Sequence, residues 1–251
     1  MTKCFAPEIV TPNPEILLTA RHDNSYRDIL NSAELSLPDG IATRFAVAAL
    51  WDDGSLHRHT GIDVLPTVMN IAEHQHEAVV ILGGHGEDYA SIQSQLNAQY
   101  PLLRVICIDP GVVDEHHPML QKEIFHQISA VGTCVVLVAL GQGRGSSQGK
   151  QERIARDILR HAPNVRFAIG VGGAIDVLAG RVLRAPKIVR RFGFEWMWRL
   201  LKNPWRFPRI VRAVFIFPIC VAYDTLAQKH FLHACWSVIA TLREHFLKKT
   251  V

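Results

Sequence analysis

The stretch "TCVVLVALG" (133–141) decides the fold, because seven consecutive residues in it are apolar. Such a run is typical of a strand buried on both faces of a parallel sheet. The helix-like segment "QERIARDILRHA" (151–162) follows it, and runs of the same apolar kind recur at 78–84, 103–109 and 165–173. This alternation of strand, turn and helix predicts an α/β fold with a Rossmann-like parallel sheet core.

The composition changes after residue 186. Residues 187–251 are rich in Trp, Phe and Arg, and apolar residues recur at helical spacing in "FLHACWSVIATLREHFLKK" (231–249). We therefore predict an α/β core domain over residues 1–186 and a basic amphipathic C-terminal helical appendage over residues 187–251.

Charge is distributed unevenly along the chain, whose net charge is +4. Residues 181–251 contain 14 Lys and Arg against 3 Asp and Glu, whereas residues 1–180 contain 13 against 20. A tail this basic suits an anionic lipid surface, a phosphate-bearing substrate or nucleic acid. A merely solvated surface is the plainer alternative, but the charges cluster among aromatic residues, which disfavours it.

Two further features concern the cellular compartment. The N-terminal "MTKCFAPEIVTPNPE" (1–15) has no apolar leader-like segment. The longest uncharged apolar run of the last third, 213–223, is far shorter than the roughly 20 residues of a membrane-spanning helix. The five cysteines are widely spaced and form no CxxC motif, which indicates buried thiols in a reducing compartment. We expect a soluble or peripheral cytoplasmic protein.

The Gly-rich stretch "ALGQGRGSSQGKQE" (139–152) raises the question of an ATPase phosphate loop. Such a loop requires G-x-x-x-x-G-K-[ST] between a strand and a helix. Arg144 stands where the first Gly is needed, and Gln151 replaces the hydroxyl residue after Lys150. These departures disfavour an ATPase. The position between a strand and a helix still predicts that the stretch borders a ligand site.

Short motifs occur in a fixed order along nearly the whole chain. They are "TPNPE" (11–15), "LPDG" (37–40), "RHTGIDVL" (58–65), "ILGG" (81–84), "KQE" (150–152), "GVGGAIDVLAG" (170–180), "RAP" (184–186) and "FEWMWRLLKNPWRFPR" (194–209). In this order and at this spacing they resemble the bacterial WecG/TagA/CpsF glycosyltransferases. Relatives usually read "PKQE" shortly after the strand, so we interpret residues 142–149 as an insertion that remodels the donor site.

The resemblance implies an inverting, UDP-sugar-dependent hexosyltransferase. Its acceptor would be a monosaccharide on undecaprenyl diphosphate. Its product would serve cell-surface polysaccharide biosynthesis, of an exopolysaccharide, an enterobacterial-antigen-like or a teichoic-type polymer. A non-catalytic nucleotide-binding or membrane-scaffold protein is the alternative function, although it does not explain the order of the motifs.

The resemblance also assigns roles to single residues. Asp39 would be the catalytic base, because an inverting transfer needs a base near the acceptor hydroxyl; an ordinary turn Asp is the alternative. Thr11 and Asn13 would bind a sugar or hold Asp39, and helix capping is an equally good reading. Arg58 would contact the diphosphate or the acceptor, unless it is a surface arginine.

Donor binding is assigned to two junctions between a strand and a helix. Gln151 would read uracil through its amide group. Gly172 and Gly173 would let the backbone approach the ligand closely, and Asp176 would bind ribose or donor-sugar hydroxyls. A tight turn with no ligand is the alternative for the glycines.

The lipid diphosphate is assigned to Arg199, Arg206 and Arg209 of the appendage. The first two are seven residues apart, so they would face the same side of a continuous helix, which Pro204 and Pro208 put in question. The neighbouring Trp and Phe residues would lie at the membrane interface. A buried core helix capped by arginines is the alternative.

We expect no cofactor and no metal site, because the His-rich segments 73–77 and 114–117 lack a partner motif at ligand spacing. The expected partners are a UDP-sugar donor, a polyprenyl-diphosphate-linked sugar acceptor and the anionic inner face of the cell membrane, but not nucleic acid. The sequence leaves open whether the chain forms a homo-oligomer. It also leaves open the donor sugar, for which N-acetylmannosamine, its uronic acid and glucose are the candidates.

Overall fold

The computed structural model of the chain describes residues 7–53, 60–84, 89–113, 119–141, 149–186, 188–189, 194–202, 204 and 207–247. The chain divides into two compact units. One, here called the sheet unit, comprises Met1–Thr11, Thr19–Leu37 and Thr60–Leu183. The other, here called the helical unit, comprises Pro12–Leu18, Pro38–His59 and Arg184–Val251.

The sheet unit is built on parallel strands. Over the described residues these are β1 (Glu8–Val10), β2 (Leu35–Ser36), β3 (Ala78–Gly83), β4 (Arg104–Ile108), β5 (Cys134–Ala139) and β6 (Val165–Gly170). They form one sheet in the order β2-β1-β6-β5-β3-β4, and each neighbouring pair is parallel. The four apolar runs found in the sequence are β3 to β6, which confirms the predicted α/β fold with a parallel sheet core.

Helices cover both faces of this sheet. They are α4 (Gly61–His74), α5 (Tyr89–Gln99), α6 (Lys122–Ala130), α7 (Lys150–His161) and α8 (Ala174–Leu178), and α2 (Asn24–Asn31) packs against α7. Side chains alternate along each strand, so Val79 and Ile81 of β3 pack in one core with α4, α5 and α8. Val80 and Leu82 pack in a second core with α6 and α7. Strands buried on both faces explain why their sequences are apolar without interruption.

The helical unit contains α3 (Ile41–Trp51), α9 (Glu195–Lys202), α10 (Phe207–Ala227) and α11 (Phe231–Leu247). The helix α1 (Pro14–His22) begins in this unit and ends in the sheet unit. Helix α3 packs against both α10 and α11, and Ala46 of α3 and Phe217 of α10 are buried in one apolar cluster with Leu18. Arg44 of α3 forms an ion pair with Glu244 of α11 at 3.4 Å. The predicted C-terminal helices are therefore present.

One expectation about the appendage needs correction, and another stays a prediction. Helix α9 ends at Lys202 and α10 begins at Phe207; Arg206 lies outside the described residues, so the shared facing of Arg199 and Arg206 stays a prediction. The correction concerns α10, which is long and apolar enough to cross a membrane by length and composition. The expectation of no such segment counted only uncharged residues, whereas the helix continues through Arg209 and Arg212, with a π turn at Arg212–Ile216.

The central strand β5 carries much of the packing free energy. Leu137 is fully buried, so we expect Leu137→Ala to lower the free energy of unfolding by roughly 2–5 kcal/mol through lost burial and a residual cavity. Val112→Ala, at a residue that is 97% exposed, should change it by less than about 0.5 kcal/mol. Urea denaturation of both variants measures the difference, and equal midpoints would contradict the described core.

Candidate active site

The carboxyl ends of β5 and β6 meet the start of α7 in the sheet unit. The amide of Gly172 donates a hydrogen bond of 2.7 Å to Oε1 of Gln151. A Cβ built on Gly172 would lie 3.9 Å from Cα of Gly141, which follows β5. Ligands of parallel α/β folds bind beyond this edge of the sheet. The structure therefore brings together Gln151 and Gly172, two of the residues predicted to bind the donor.

Helix α7 approaches the end of β6 very closely. A Cβ on Gly170 would lie 3.1 Å from Cβ of Gln151 and 3.3 Å from Oε1 of Glu152, so a larger residue would push α7 outward. Gln151 is buried, and its Oε1 already accepts one hydrogen bond from the Gly172 amide. That oxygen keeps a second lone pair and Nε2 has two N–H donors, so both groups retain hydrogen-bonding capacity for a nucleobase.

Asp176 lies in the first turn of α8, close to Gly173. A Cβ on Gly173 would lie 3.8 Å from Oδ2 of Asp176. Arg181 reaches Oδ1 of the same carboxylate at 3.3 Å, and the Arg181 amide donates to the Asp176 carbonyl at 2.8 Å. A ribose or sugar hydroxyl bound by Asp176 would share the carboxylate with this arginine.

The N-terminus of α7 rests on a buried tyrosine that the sequence did not indicate. The Tyr26 hydroxyl donates a hydrogen bond of 3.0 Å to Oε2 of Glu152, and both side chains are buried. A Cβ on Gly149 would lie 2.4 Å from the Tyr26 ring, and the φ of Gly149 is +88°. Only glycine can meet both conditions, so Tyr26 fixes the point where the chain enters α7.

A partly buried ion pair lies near this contact. Arg156 of α7 donates to Oε2 of Glu8 in β1 from Nε at 3.0 Å and from Nη2 at 2.9 Å. Oε1 of Glu8 is buried and has no hydrogen-bond partner among the described residues. Burial raises the pKa of Glu8 from 4.5 to about 7, an effect that Arg156 only partly offsets and that the negative charge of Glu152 reinforces.

In the helical unit, hydrogen bonds hold the backbone of Asp39 on both sides. Its amide donates to the Pro12 carbonyl at 2.8 Å, and its carbonyl accepts from the Thr43 hydroxyl at 2.9 Å. Gly40 follows with a φ of +90°, and a Cβ there would lie 3.8 Å from Cδ of Pro14. The "LPDG" turn thus lies against the "TPNPE" segment, and the carboxylate of Asp39 projects from a fixed backbone.

Asn13 caps α1, as one of its two readings anticipated. Its Oδ1 accepts hydrogen bonds from the amides of Glu15 at 3.0 Å and Ile16 at 3.1 Å. The capping role of Asn13 is therefore present, and its contact with a sugar stays a prediction. Thr11 is buried at the end of β1 in the sheet unit.

Of the predicted diphosphate ligands, Arg209 is described with its side chain. Its Nε donates to both oxygens of Glu15, at 2.8 and 3.0 Å, and Nη2 donates to Oε2 at 2.6 Å. Glu15 belongs to the same segment as Asn13 and lies in the helical unit. Arg58, Arg206 and the side chain of Arg199 lie outside the described residues.

Comparison with known proteins shows the family of the chain. The sequence model of the glycosyl transferase WecG/TagA/CpsF family matches residues 4–230. The chain belongs to this family. It is also 30% identical over 203 residues to the N-acetylglucosaminyldiphosphoundecaprenol N-acetyl-beta-D-mannosaminyltransferase of Bacillus subtilis (strain 168), a match that covers 81% of this chain and 74% of that enzyme.

Membership of the family makes the chain a glycosyltransferase. The resemblance found in the sequence is confirmed, and the non-catalytic alternative is not supported. Within the described residues, no group of three or more His, Cys, Asp and Glu side chains could hold a metal ion. The family motifs "TPNPE" and "KQE" include Glu15 and Glu152, but their partners Arg209 and Tyr26 are distant in sequence, so the pairings were not predictable.

The raised pKa of Glu8 predicts a pH-dependent stability. Because the native chain binds this proton up to about pH 7, whereas the unfolded chain releases it near pH 4.5, stability falls as pH rises through that window. The wild-type free energy of unfolding should decrease between pH 5 and pH 8. Glu8→Gln mimics the protonated form, so we expect this decrease to be smaller in the variant by on the order of 2 kcal/mol.

Urea denaturation at both pH values measures this effect. Glu123→Gln, at an exposed position on α6, is the matched control and should keep the wild-type pH dependence. Identical slopes for Glu8→Gln and wild type would show that Glu8 is charged in the native state at both pH values.

Proposed function

We propose that this chain transfers a sugar from a UDP-sugar to a monosaccharide carried on undecaprenyl diphosphate, with inversion at the anomeric carbon. The observation that carries the proposal is the similarity to the Bacillus subtilis enzyme over 81% of this chain. The name of that enzyme specifies a mannosaminyl transfer to N-acetylglucosaminyldiphosphoundecaprenol. N-acetylmannosamine is therefore the first donor sugar to test.

Inversion follows from a single displacement. The acceptor hydroxyl oxygen attacks the anomeric carbon, the bond from that carbon to the UDP oxygen breaks, and UDP leaves with the bonding electrons. The acceptor hydroxyl loses its proton to a general base. Asp39 is the residue we assign to that role. Its support is a backbone held by Pro12 and Thr43, which limits where the carboxylate can lie.

The two charged partners of the reaction need cationic groups. UDP develops negative charge as it leaves, and the acceptor carries a permanent diphosphate. Guanidinium groups suit both, because they bind phosphate oxygens in pairs. We assign the acceptor diphosphate to Arg199, Arg206 and Arg209, and Arg58 to the leaving diphosphate or the acceptor. Gln151, Gly172, Gly173 and Asp176 are assigned to the donor, and Thr11 and Asn13 to sugar binding or support of Asp39.

A lipid-linked acceptor requires contact with a membrane, and the helical unit has surfaces suited to it. Helix α10 exposes Phe215, Ile219, Tyr223 and Leu226 at spacings of three and four residues, and α11 exposes Leu232, Trp236 and Ile239 in the same way. Each set forms one apolar stripe on its helix. The opposite side of α10 packs on α3 through Phe217, which favours a helix lying at the interface over one that spans the bilayer.

The charge of the same region selects the lipid. Residues 181–251 carry 14 Lys and Arg against 3 Asp and Glu, so we propose association with anionic lipid at the inner face of the cell membrane. Apolar side chains at the acyl boundary and basic side chains at the headgroups are typical of interfacial helices.

The transfer itself is tested with purified protein and an N-acetylglucosamine acceptor on a polyprenyl diphosphate. The donors are UDP-N-acetylmannosamine, its uronic acid and UDP-glucose, each radiolabelled in the sugar. We expect one donor to give labelled lipid and free UDP in equal amounts. No turnover with any donor, by a protein that binds UDP in calorimetry, would contradict the proposed acceptor.

Asp39→Asn should lower kcat by roughly 10²–10⁴-fold, because the amide cannot accept the acceptor proton. Binding of UDP and the melting temperature should stay near wild type, since Asn preserves the shape of the turn. Asp52→Asn, at the exposed end of α3, is the control and should retain wild-type turnover. Wild-type kcat in Asp39→Asn would remove Asp39 from the role of base.

Ile219→Glu and Trp236→Glu each place a charge in an apolar stripe. We expect each to reduce flotation with vesicles containing anionic lipid, because burying a carboxylate at the acyl boundary is unfavourable. Leu102→Glu, at a position of the sheet unit that is 76% exposed, should float as wild type does. Equal flotation of all three variants would contradict the assignment of these stripes to the membrane.

A further inference from the structure

The ion pair between Glu15 and Arg209 has a geometry that favours a second anion. Glu15 receives hydrogen bonds from the Nε and Nη2 atoms of Arg209, at distances between 2.6 and 3.0 Å. The carboxylate thus occupies one edge of the guanidinium. The Nη1 group has no hydrogen-bond partner among the residues that the structure describes. A guanidinium has five N–H donors, so it can bind a phosphate without releasing Glu15.

Glu15 is itself fixed relative to the turn that carries Asp39. The Asn13 side chain caps the amides of Glu15 and Ile16, and the carbonyl of Pro12, one residue earlier, accepts from the Asp39 amide. Residues 12–16 therefore connect the proposed base to the arginine through hydrogen bonds within the helical unit. A displacement of Glu15 would move Arg209 relative to Asp39.

The two partners differ in exposure. The side chain of Arg209 is 44% exposed, whereas that of Glu15 is 14% exposed. The exposed partner is the cation, which is the group that a phosphate would approach. Hydrogen bonding to Glu15 raises the pKa of Arg209 above its ordinary value.

We propose that Glu15 is a positioning residue for the acceptor: its carboxylate holds Arg209 so that the remaining guanidinium N–H groups receive the diphosphate of the lipid-linked sugar. This inference rests on the proposed function, since it needs a diphosphate-bearing acceptor. Glu15 neutralises part of the charge of Arg209, so its contribution is orientation rather than attraction. A pre-oriented guanidinium loses less side-chain freedom when the diphosphate binds.

The test compares Glu15→Gln with wild type in steady-state transfer. Gln offers one acceptor oxygen in place of two, and its NH2 group opposes a guanidinium N–H, so the bidentate contact is lost. We expect the KM for the polyprenyl-diphosphate acceptor to rise about tenfold, with kcat and the KM for the UDP-sugar changed less than about twofold.

A double-mutant cycle shows whether Glu15 affects acceptor binding through Arg209. If Glu15 acts through Arg209, the double variant Glu15→Gln/Arg209→Ala should have the same acceptor KM as Arg209→Ala alone. Independent, multiplying effects would overturn the proposal. Glu244→Gln, which breaks the Arg44–Glu244 pair of the same unit, is the matched control and should leave the acceptor KM unchanged. Should Glu15→Gln fail to fold, Glu15→Asp replaces it in the same cycle, and the same comparison decides.

The failure of this inference is distinguishable from that of the proposed function. Absence of wild-type transfer to the lipid-linked acceptor would contradict the function. Wild-type transfer with an unchanged acceptor KM in the Glu15 variant would overturn only the role of Glu15. An unchanged acceptor KM in Arg209→Ala would overturn the roles of both residues and leave the transfer standing.

Discussion

The close approach of α7 to the end of β6 is the constraint on which the sheet unit depends. It is possible because residue 170 has no side chain, and it places Gln151 within hydrogen-bond distance of Gly172. The same approach buries Glu152, whose carboxylate accepts a hydrogen bond from the Tyr26 hydroxyl. Such partners are what make a buried carboxylate tolerable. The hydrogen bond between Gln151 and Gly172 at the sheet edge and the buried contact between Glu152 and Tyr26 therefore depend on the same position of α7.

The helical unit fixes its proposed site residues through a short capped segment rather than through a close approach of helix and strand. Its rigid element is the segment between Pro12 and Ile16, which is held by a side-chain cap and by the backbone of Asp39. From this segment Glu15 extends to Arg209. A carboxylate assigned to proton transfer and a guanidinium assigned to phosphate binding are thus oriented by the five consecutive residues 12–16, four of which belong to the motif "TPNPE".

The sequence predicted the features that depend on neighbouring residues, namely strands and helix caps. The strands β3 to β6 were predictable because both of their faces are buried, and the capping by Asn13 followed from its place before α1. Pairings across long separations were not: Tyr26 and Glu152 are 126 residues apart, and Glu15 and Arg209 are 194 apart. The length of α10 was missed because charged residues interrupt its apolar pattern without ending the helix. Arg58 and Arg206 stay predictions from resemblance, since they lie outside the described residues.

The contact between Tyr26 and Gly149 has a consequence for how this chain could be re-engineered. It anchors the start of α7 independently of the chain that leads into it, while Gly141 is anchored beside Gly172 on the other side. Under the proposed donor site, residues between these two points could be exchanged while the start of α7 keeps its anchor. Grafting a different segment there would then change donor preference and leave the scaffold in place.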